Sequence, residues 1–154
     1  MIPKSSIFFN GVLEYKLLWK NKIVTNNVMI EDFLILNCIG KNDKIGLKMS
    51  NKFYIHELDQ NYNNDQLVSN ILNLMKKHKA KFDDNFSILV NNGPGSFSSI
   101  RASLAVAKGL KISKNIDIFG FNNSDLGQFN LVNIELLIKK DLIQKNLIKP
   151  IYLS

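Results

Sequence analysis

The chain has 154 residues, 45% of them hydrophobic, enough for one modest core and too few for several large domains. It carries 20 Lys and Arg against 13 Asp and Glu, a formal net charge of +7, and one cysteine, Cys38. These figures argue against a many-domain enzyme, an internal disulfide framework and a cysteine-rich zinc site, and no run of about 18 apolar residues offers a membrane-spanning helix.

The positive charge is almost all lysine; Arg101 is the only arginine. Lysine, asparagine and isoleucine are in joint excess, which an AT-rich genome produces as readily as selection for an anionic partner. The lysine clusters at Lys76-Lys77-Lys79-Lys81 and Lys139-Lys140 are short, so a solvated basic surface is the plain reading and a nucleic-acid patch the alternative. His56 and His78 match no metal-ligand helix spacing. At the N-terminus, Asn10-Gly11 interrupts the apolar Ile7-Phe8-Phe9 and no small-residue cleavage site follows. With one thiol and no export signal, the expected location is the cytoplasm.

In chain order, residues 1–30 hold the only tryptophan, Trp19, and an irregular apolar scatter. They are expected to form a weakly ordered extension, with a short helix over 12–20 as the other reading. Phe33-Leu34-Ile35-Leu36 is a continuous apolar run suited to a buried strand. Gly40 and Asn42-Asp43 supply a turn, and the alternating stretches 45–49 and 53–58 read as a hairpin. Asp65 opens a helix over 65–79, with Leu67, Val68, Ile71, Leu72, Leu74 and Met75 at helical spacing. At about 100° per residue these cover an arc of roughly 160°, wider than one core contact needs, so either a second packing partner or a deeply seated helix is implied.

Phe86–Val90 is a further buried-type strand, running into Asn91-Asn92-Gly93-Pro94-Gly95-Ser96 and a helix over 98–111. A strand at 116–121, a short helix capped by Ser124 or Asp125, and a last helix over 133–147 complete the chain before Pro150 and an extended tail. The order indicates an α/β layer with a mixed sheet.

The turn and helix at 93–111 carry the most information. Gly93 and Gly95 permit backbone angles closed to other residues, Ser96 can cap free amides, and a helix start attracts anions. A phosphate cradle and a tight turn with no ligand both fit this pattern. It is not a Walker A loop, because no Gly-Lys-Ser/Thr follows. In the helix, Ala102, Ser103, Ala105, Ala107 and Gly109 are small, and Arg101 and Lys108 frame an apolar seam at Leu104. A lone arginine hints at a bidentate contact.

The run Gly93-Pro94-Gly95-Ser96-Phe97-Ser98-Ser99-Ile100-Arg101-Ala102-Ser103-Leu104-Ala105-Val106-Ala107-Lys108-Gly109-Leu110 resembles the signature of the TsaB (YeaZ) family, close to GPGSFTGLRIGLATAKGLA. The tail Lys149-Pro150-Ile151-Tyr152-Leu153 is similar to that family's Pro-Val-Tyr-Leu ending. The resemblance covers roughly residues 32–125 and about the last twenty. It implies a single lobe of the actin-like ATPase (ASKHA, ribonuclease H-like) fold at 31–126, with a mixed five-stranded sheet and flanking helices. Residues 127–154 would then be a residual helix and tail, in a shortened form without most of the second lobe.

The resemblance further implies a non-catalytic scaffold for tRNA threonylcarbamoyladenosine (t6A) modification. Its partner would be a TsaD-type transferase, with a TsaE-type ATPase and a homodimer as further associations, and tRNA reached only through the complex. The two long helices would form the interface, through Leu67, Ile71, Leu74, Ile100, Arg101, Leu104 and Lys108. No cofactor is required on this reading; weak nucleotide binding at the partner interface is left open.

Departures from the pattern bear on ligands more than on partners. Asn37 stands where the family has aspartate, and Ser99 and Ser103 replace glycines. The competing readings are a free-standing nucleotide or anion module using Gly93, Gly95 and Ser96, a small basic RNA-binding domain, and a remnant without activity. Cys38 reads as a buried small residue rather than a nucleophile.

Overall fold

The structure is a computed structural model and describes residues 23–25, 28–145 and 148–153. Most of the expected weakly ordered extension, including any helix over 12–20, lies outside the described residues. Within that stretch, β1 (Ile23–Thr25) and β2 (Val28–Ile30) pair antiparallel.

The apolar run at 33–36 forms the heart of β3 (Asp32–Asn37), and Phe33, Leu34, Ile35 and Leu36 are all fully buried. A continuous apolar strand needs cover on both faces, and β3 has it as an interior strand. It is followed by β4 (Lys44–Met49), β5 (Lys52–Glu57), α1 (Asn64–Lys77), β6 (Phe86–Asn91), α2 (Phe97–Lys114), β7 (Asp117–Phe121), α3 (Asn123–Leu126), α4 (Leu131–Lys139) and β8 (Ile143–Lys145). The six-stranded sheet runs β5-β4-β3-β6-β7-β8. Strand β6 is parallel to β3 and to β7, while the remaining pairs are antiparallel.

Alternation along the strands separates two cores. Leu34, Leu36, Ile88, Val90 and Ile118 pack with Leu67, Ile71, Ile100 and Leu104 of α1 and α2. Phe33, Ile35, Leu89, Phe119 and Phe121 pack on the opposite face with Leu126, Ile134, Leu137 and Ile138 of α3 and α4. A register slip of one residue would exchange the two sets, so the two packed faces fix the pairing.

Asparagine sets most of the helix starts. Asn63 and Gln66 form a reciprocal capping box on α1, with bonds of 2.7 and 2.8 Å. Asn122 caps α3, where the pattern pointed to Ser124 or Asp125, and Asn130 caps α4. Ser96 stands at the start of α2 but its side chain caps no amide; its Oγ lies 3.3 Å from Ser98 Oγ.

The end of the chain corrects the expected architecture. The helix expected over 133–147 stops at Lys139, and the sheet has six strands rather than five. Asp141 turns the chain at φ 57, the Leu142 amide returns to the Leu137 carbonyl at 2.9 Å, and Ile143–Lys145 then joins the edge of β7. The single mixed α/β lobe with helices on both faces otherwise stands as expected. Among the described residues no helix is long and apolar enough to cross a membrane.

Candidate docking face and strand-end cleft

Three asparagines meet where β3 and β6 end and α3 begins. Asn91 Nδ2 donates to Asn37 Oδ1 at 2.7 Å and to Asn123 Oδ1 at 3.0 Å, and Asn91 Oδ1 accepts the Gly93 amide at 2.9 Å. Asn91 is fully buried. A carboxylate there would present only acceptors to two carbonyl oxygens, so the cluster requires the amide. The arrangement is neutral and offers no charge to a cation. Among the described residues, no group of three or more His, Cys, Asp or Glu could hold a metal ion. The neighbouring Asn92 is buried and its Oδ1 has no hydrogen-bond partner.

The Gly93–Ser96 turn is occupied by the chain's own backbone. A Cβ on Gly93, whose φ is 103°, would run into the Ile151 carbonyl; one on Gly95 would lie 2.7 Å from both Ile39 Cβ and Ile39 O. The Ser96 amide donates to Ile39 O at 2.8 Å, and the Gly95 amide to Ile151 O at 3.3 Å. Ile151 N returns a bond to Asn92 O at 2.7 Å, and Leu153 N one to Gly95 O at 3.0 Å. The three amides expected to cradle an anion, those of Gly93, Gly95 and Ser96, are thus all bonded within the protein. Here the turn clamps the β3–β4 hairpin to the C-terminal segment, and the glycines allow that close backbone approach.

The hairpin is closed in the same manner. Asp43 Oδ1 accepts the amides of Ile39, Gly40 and Lys41 at 2.9, 2.8 and 3.1 Å, and Oδ2 accepts the Tyr62 hydroxyl at 2.7 Å. Cys38 lies beneath, fully buried. Burial pushes its thiol up to about 12; a hydrogen bond with Tyr62 opposes the rise and the Asp43 charge adds to it. Burial also raises the Tyr62 hydroxyl. A thiol that stays protonated and covered is not a nucleophile at neutral pH. His78 stacks on Tyr54 with ring centroids 3.5 Å apart, and His56 is exposed on β5.

The two long helices pack side by side, and their starts frame an open cleft of about 600 Å³ lined by Tyr62, Asn63, Asn64, Asp65, Ser98, Ser99 and Ala102. Of the residues expected to form a partner interface, Leu67, Ile71, Leu74, Ile100 and Leu104 are buried within the lobe's own core. Only Arg101 and Lys108 are exposed. The Arg101 guanidinium carbon lies 5.0 Å from the Phe97 ring centre, which leaves its N–H groups exposed. Phe97 in turn lies 4.6 Å from the Tyr152 ring.

The outward residues are different ones. Val68 and Leu72 on α1 are 38% and 48% exposed, and Ile112 on α2 is 84% exposed. Val68 and Leu72 stand about 40° apart round their helix, and Arg101, Ala105, Lys108, Gly109 and Ile112 fall within about 100° on α2. A Cβ on Gly109 would meet nothing within 4 Å. The outward faces therefore carry Val68 and Leu72 on α1, and on α2 the small Ala105 and Gly109, the cations Arg101 and Lys108, and Ile112 toward its end. The wide apolar arc read from α1 is thereby divided: Leu67, Ile71, Leu74 and Met75 face inward, and Val68 and Leu72 face out.

A β-meander continued by two parallel strands, with helices on both faces, places the described lobe in the α/β class of actin-like ATPase folds. More particularly, its fold is similar to that of YeaZ structures. It superposes on "YeaZ from Pseudomonas aeruginosa" with a TM-score of 0.57 and 16% identity, over 62% of this chain and 47% of that one. A second Pseudomonas aeruginosa structure, described as an uncharacterized protein with similarity to peptidase YeaZ, gives a TM-score of 0.54 and 18% identity, over 62% and 44%. The chain therefore spans under half the length of either structure. Residues 57–126, from the end of β5 to the end of α3, match the family model "TsaD: tRNA N6-adenosine threonylcarbamoyltransferase". No curated protein matches the chain at a significant level.

Proposed function

We propose that this chain is a non-catalytic partner in tRNA threonylcarbamoyladenosine modification, docking a TsaD-type transferase through the outer faces of α1 and α2. The observation that carries the reading is the exposure of Val68 and Leu72 on α1 and of Ile112 on α2, whose outward face also holds the small Ala105 and Gly109. Large apolar side chains left uncovered along two adjacent helices favour a partner, and small residues let its backbone come close. The inward-facing residues contribute by holding the two helices in place. The strand-end chemistry supports a non-catalytic role: Asn91 is spent on Asn37 and Asn123, and the Cys38 thiol is covered.

The test is co-expression with the TsaD-type protein of the same genome, followed by size-exclusion chromatography with light scattering. A one-to-one complex that is lost on Leu72→Glu, with circular dichroism unchanged, supports the proposal. Separate peaks at low salt for the parent chain would refute it. If the chain alone elutes at twice its 17.6 kDa mass, the same face is pairing two copies.

A further inference from the structure

The fold gathers lysines that the sequence scatters. Helices α1 and α2 start at one cleft and pack side by side, so they run in the same direction and end at the same pole of the lobe. Lys76 and Lys77 lie in the last turn of α1, with Lys79 and Lys81 just beyond; Lys111 and Lys114 lie in the last turn of α2. All but the half-buried Lys111 are exposed, and none forms an ion pair among the described residues. The acids at this end of the sheet are Glu31, Asp32, Asp83 and Asp84, and Lys48 and Lys52 lie there as well, since Asp32 pairs in register with Phe86 and Met49 with Lys52; Asp117, at the start of β7, is already paired with Lys145 at 3.5 Å. At the opposite pole the segment 57–66 holds Glu57, Asp59 and Asp65 and no lysine.

Lysines near helix ends are ordinary, because each C-terminus carries about half a negative charge. Two helix ends call for about one positive charge, and eight lysines set against four acids at this end exceed that by about three. We propose that this pole is a binding surface for an RNA phosphate backbone. A lipid surface favours several apolar side chains among the cations. Among the described residues at this pole, Ile112 alone is a large exposed apolar one. Phe82 is turned edge-on to Phe86, with ring centroids 5.3 Å apart, and the exposed carboxamides of Asn85 and Asn115 suit phosphate and ribose oxygens. The pole meets the exposed apolar face of α1 and α2 at Ile112, while Val68 and Leu72 lie nearer the start of α1.

The test is a fluorescence anisotropy titration of the full chain against a labelled RNA stem-loop of mixed sequence, from 50 to 300 mM KCl. Saturable binding is expected, with log Kd rising by about 2 to 3 per decade of salt, as release of about three counterions requires. Lys79→Glu/Lys81→Glu/Lys114→Glu should weaken binding at least about tenfold and flatten the salt dependence. Lys139→Glu/Lys140→Glu, at the end of α4 on the other face of the sheet, should change it less than about twofold. Circular dichroism confirms that both variants fold. Absence of binding at 50 mM KCl overturns the proposal. So does equal loss from both charge reversals, which would make the effect one of net charge alone. Binding to phosphatidylserine vesicles with no binding to the stem-loop would assign the pole to a lipid surface and overturn it as well.

Discussion

Leu104 and Ala105 are neighbours on α2 with opposite expected roles. Leu104 is 5% exposed and sits in the core with Leu67, Ile71, Ile88 and Ile118; Ala105 is exposed beside Gly109. Leu104→Ala removes buried carbons between the helix pair and the sheet, and such changes cost about 2–5 kcal/mol. The half-buried Val106 and Leu110 border this core and allow partial collapse, which places the cost near about 3 kcal/mol. For a chain of this size that lowers the melting temperature by roughly 6–12 °C. Ala105→Arg exchanges one good helix former for another at an exposed position and should move stability by about 0.5 kcal/mol or less. Its effect falls on docking instead, because a long cation then stands on the outward face of α2. Circular dichroism melts and urea titrations at 222 nm measure the first effect, and co-elution with the TsaD-type partner measures the second. The reasoning fails if Leu104→Ala melts within about 2 °C of the parent, or if Ala105→Arg lowers the melt by more than about 5 °C.

Three other outcomes follow from the same geometry. Gly95→Val places a side chain against Ile39 and should destabilise the lobe by about 2–3 kcal/mol, read as a lower urea midpoint whether or not nucleotide is added. Asn91→Asp removes two donors from a buried cluster and aims a charge at two carbonyl oxygens. It should cost about 3–5 kcal/mol at pH 7 and recover part of that near pH 4, where the carboxyl regains a proton; equal stability at both pH values would refute this account. The Cys38 thiol is pushed up from 9.0 to about 12, so above about pH 9 the unfolded chain releases a proton that the folded chain keeps. Stability should therefore fall by roughly 1.4 kcal/mol per pH unit between those values, and Cys38→Ala should flatten that slope; an unchanged slope would remove Cys38 as its source.

Much of the architecture was legible because continuous apolar strands and wide helical arcs leave plain traces. Phe33–Leu36 and Phe86–Val90 are buried on both faces, and no amphipathic alternation was needed to find them. β8 left no such trace. It is three residues long, its pairing depends on β7 already being in place, and the preceding turn needs an Asp at positive φ that pattern alone does not announce. Which helix positions face outward was hidden for a different reason. A helical wheel gives the width of an apolar arc but not where the core ends within it. Leu67 and Val68 look equivalent in sequence, and only the seat of α1 on the sheet sends one in and the other out. The turn at 93–96 was ambiguous for a third reason: glycines admit a ligand or a second backbone equally well, and the segment at Ile151–Leu153 that fills the space is more than fifty residues away.

A ligand site and a docking face make opposite demands on a small lobe. A site for phosphate or metal needs polar groups held ready and left unpaired. Here Asn91, the Asp43 carboxylate and the amides of Gly93, Gly95 and Ser96 are bonded to other parts of the chain, and the buried Asn92 Oδ1 alone has no partner among the buried side-chain atoms of the described residues. Opening any of the bonded groups to a ligand would first break a bond that helps to join β3, β6 and the tail, and the replacement contact would have to exceed that loss. A docking face needs uncovered apolar area on rigid supports. Val68, Leu72 and Ile112 supply the area, and the packed row of Leu67, Ile71, Ile100 and Leu104 beneath them supplies the rigidity. This balance is what the proposed docking through α1 and α2 rests on. On that proposal Leu72→Glu and Gly95→Val should separate cleanly: the first should remove a partner and leave the fold, and the second should weaken the fold.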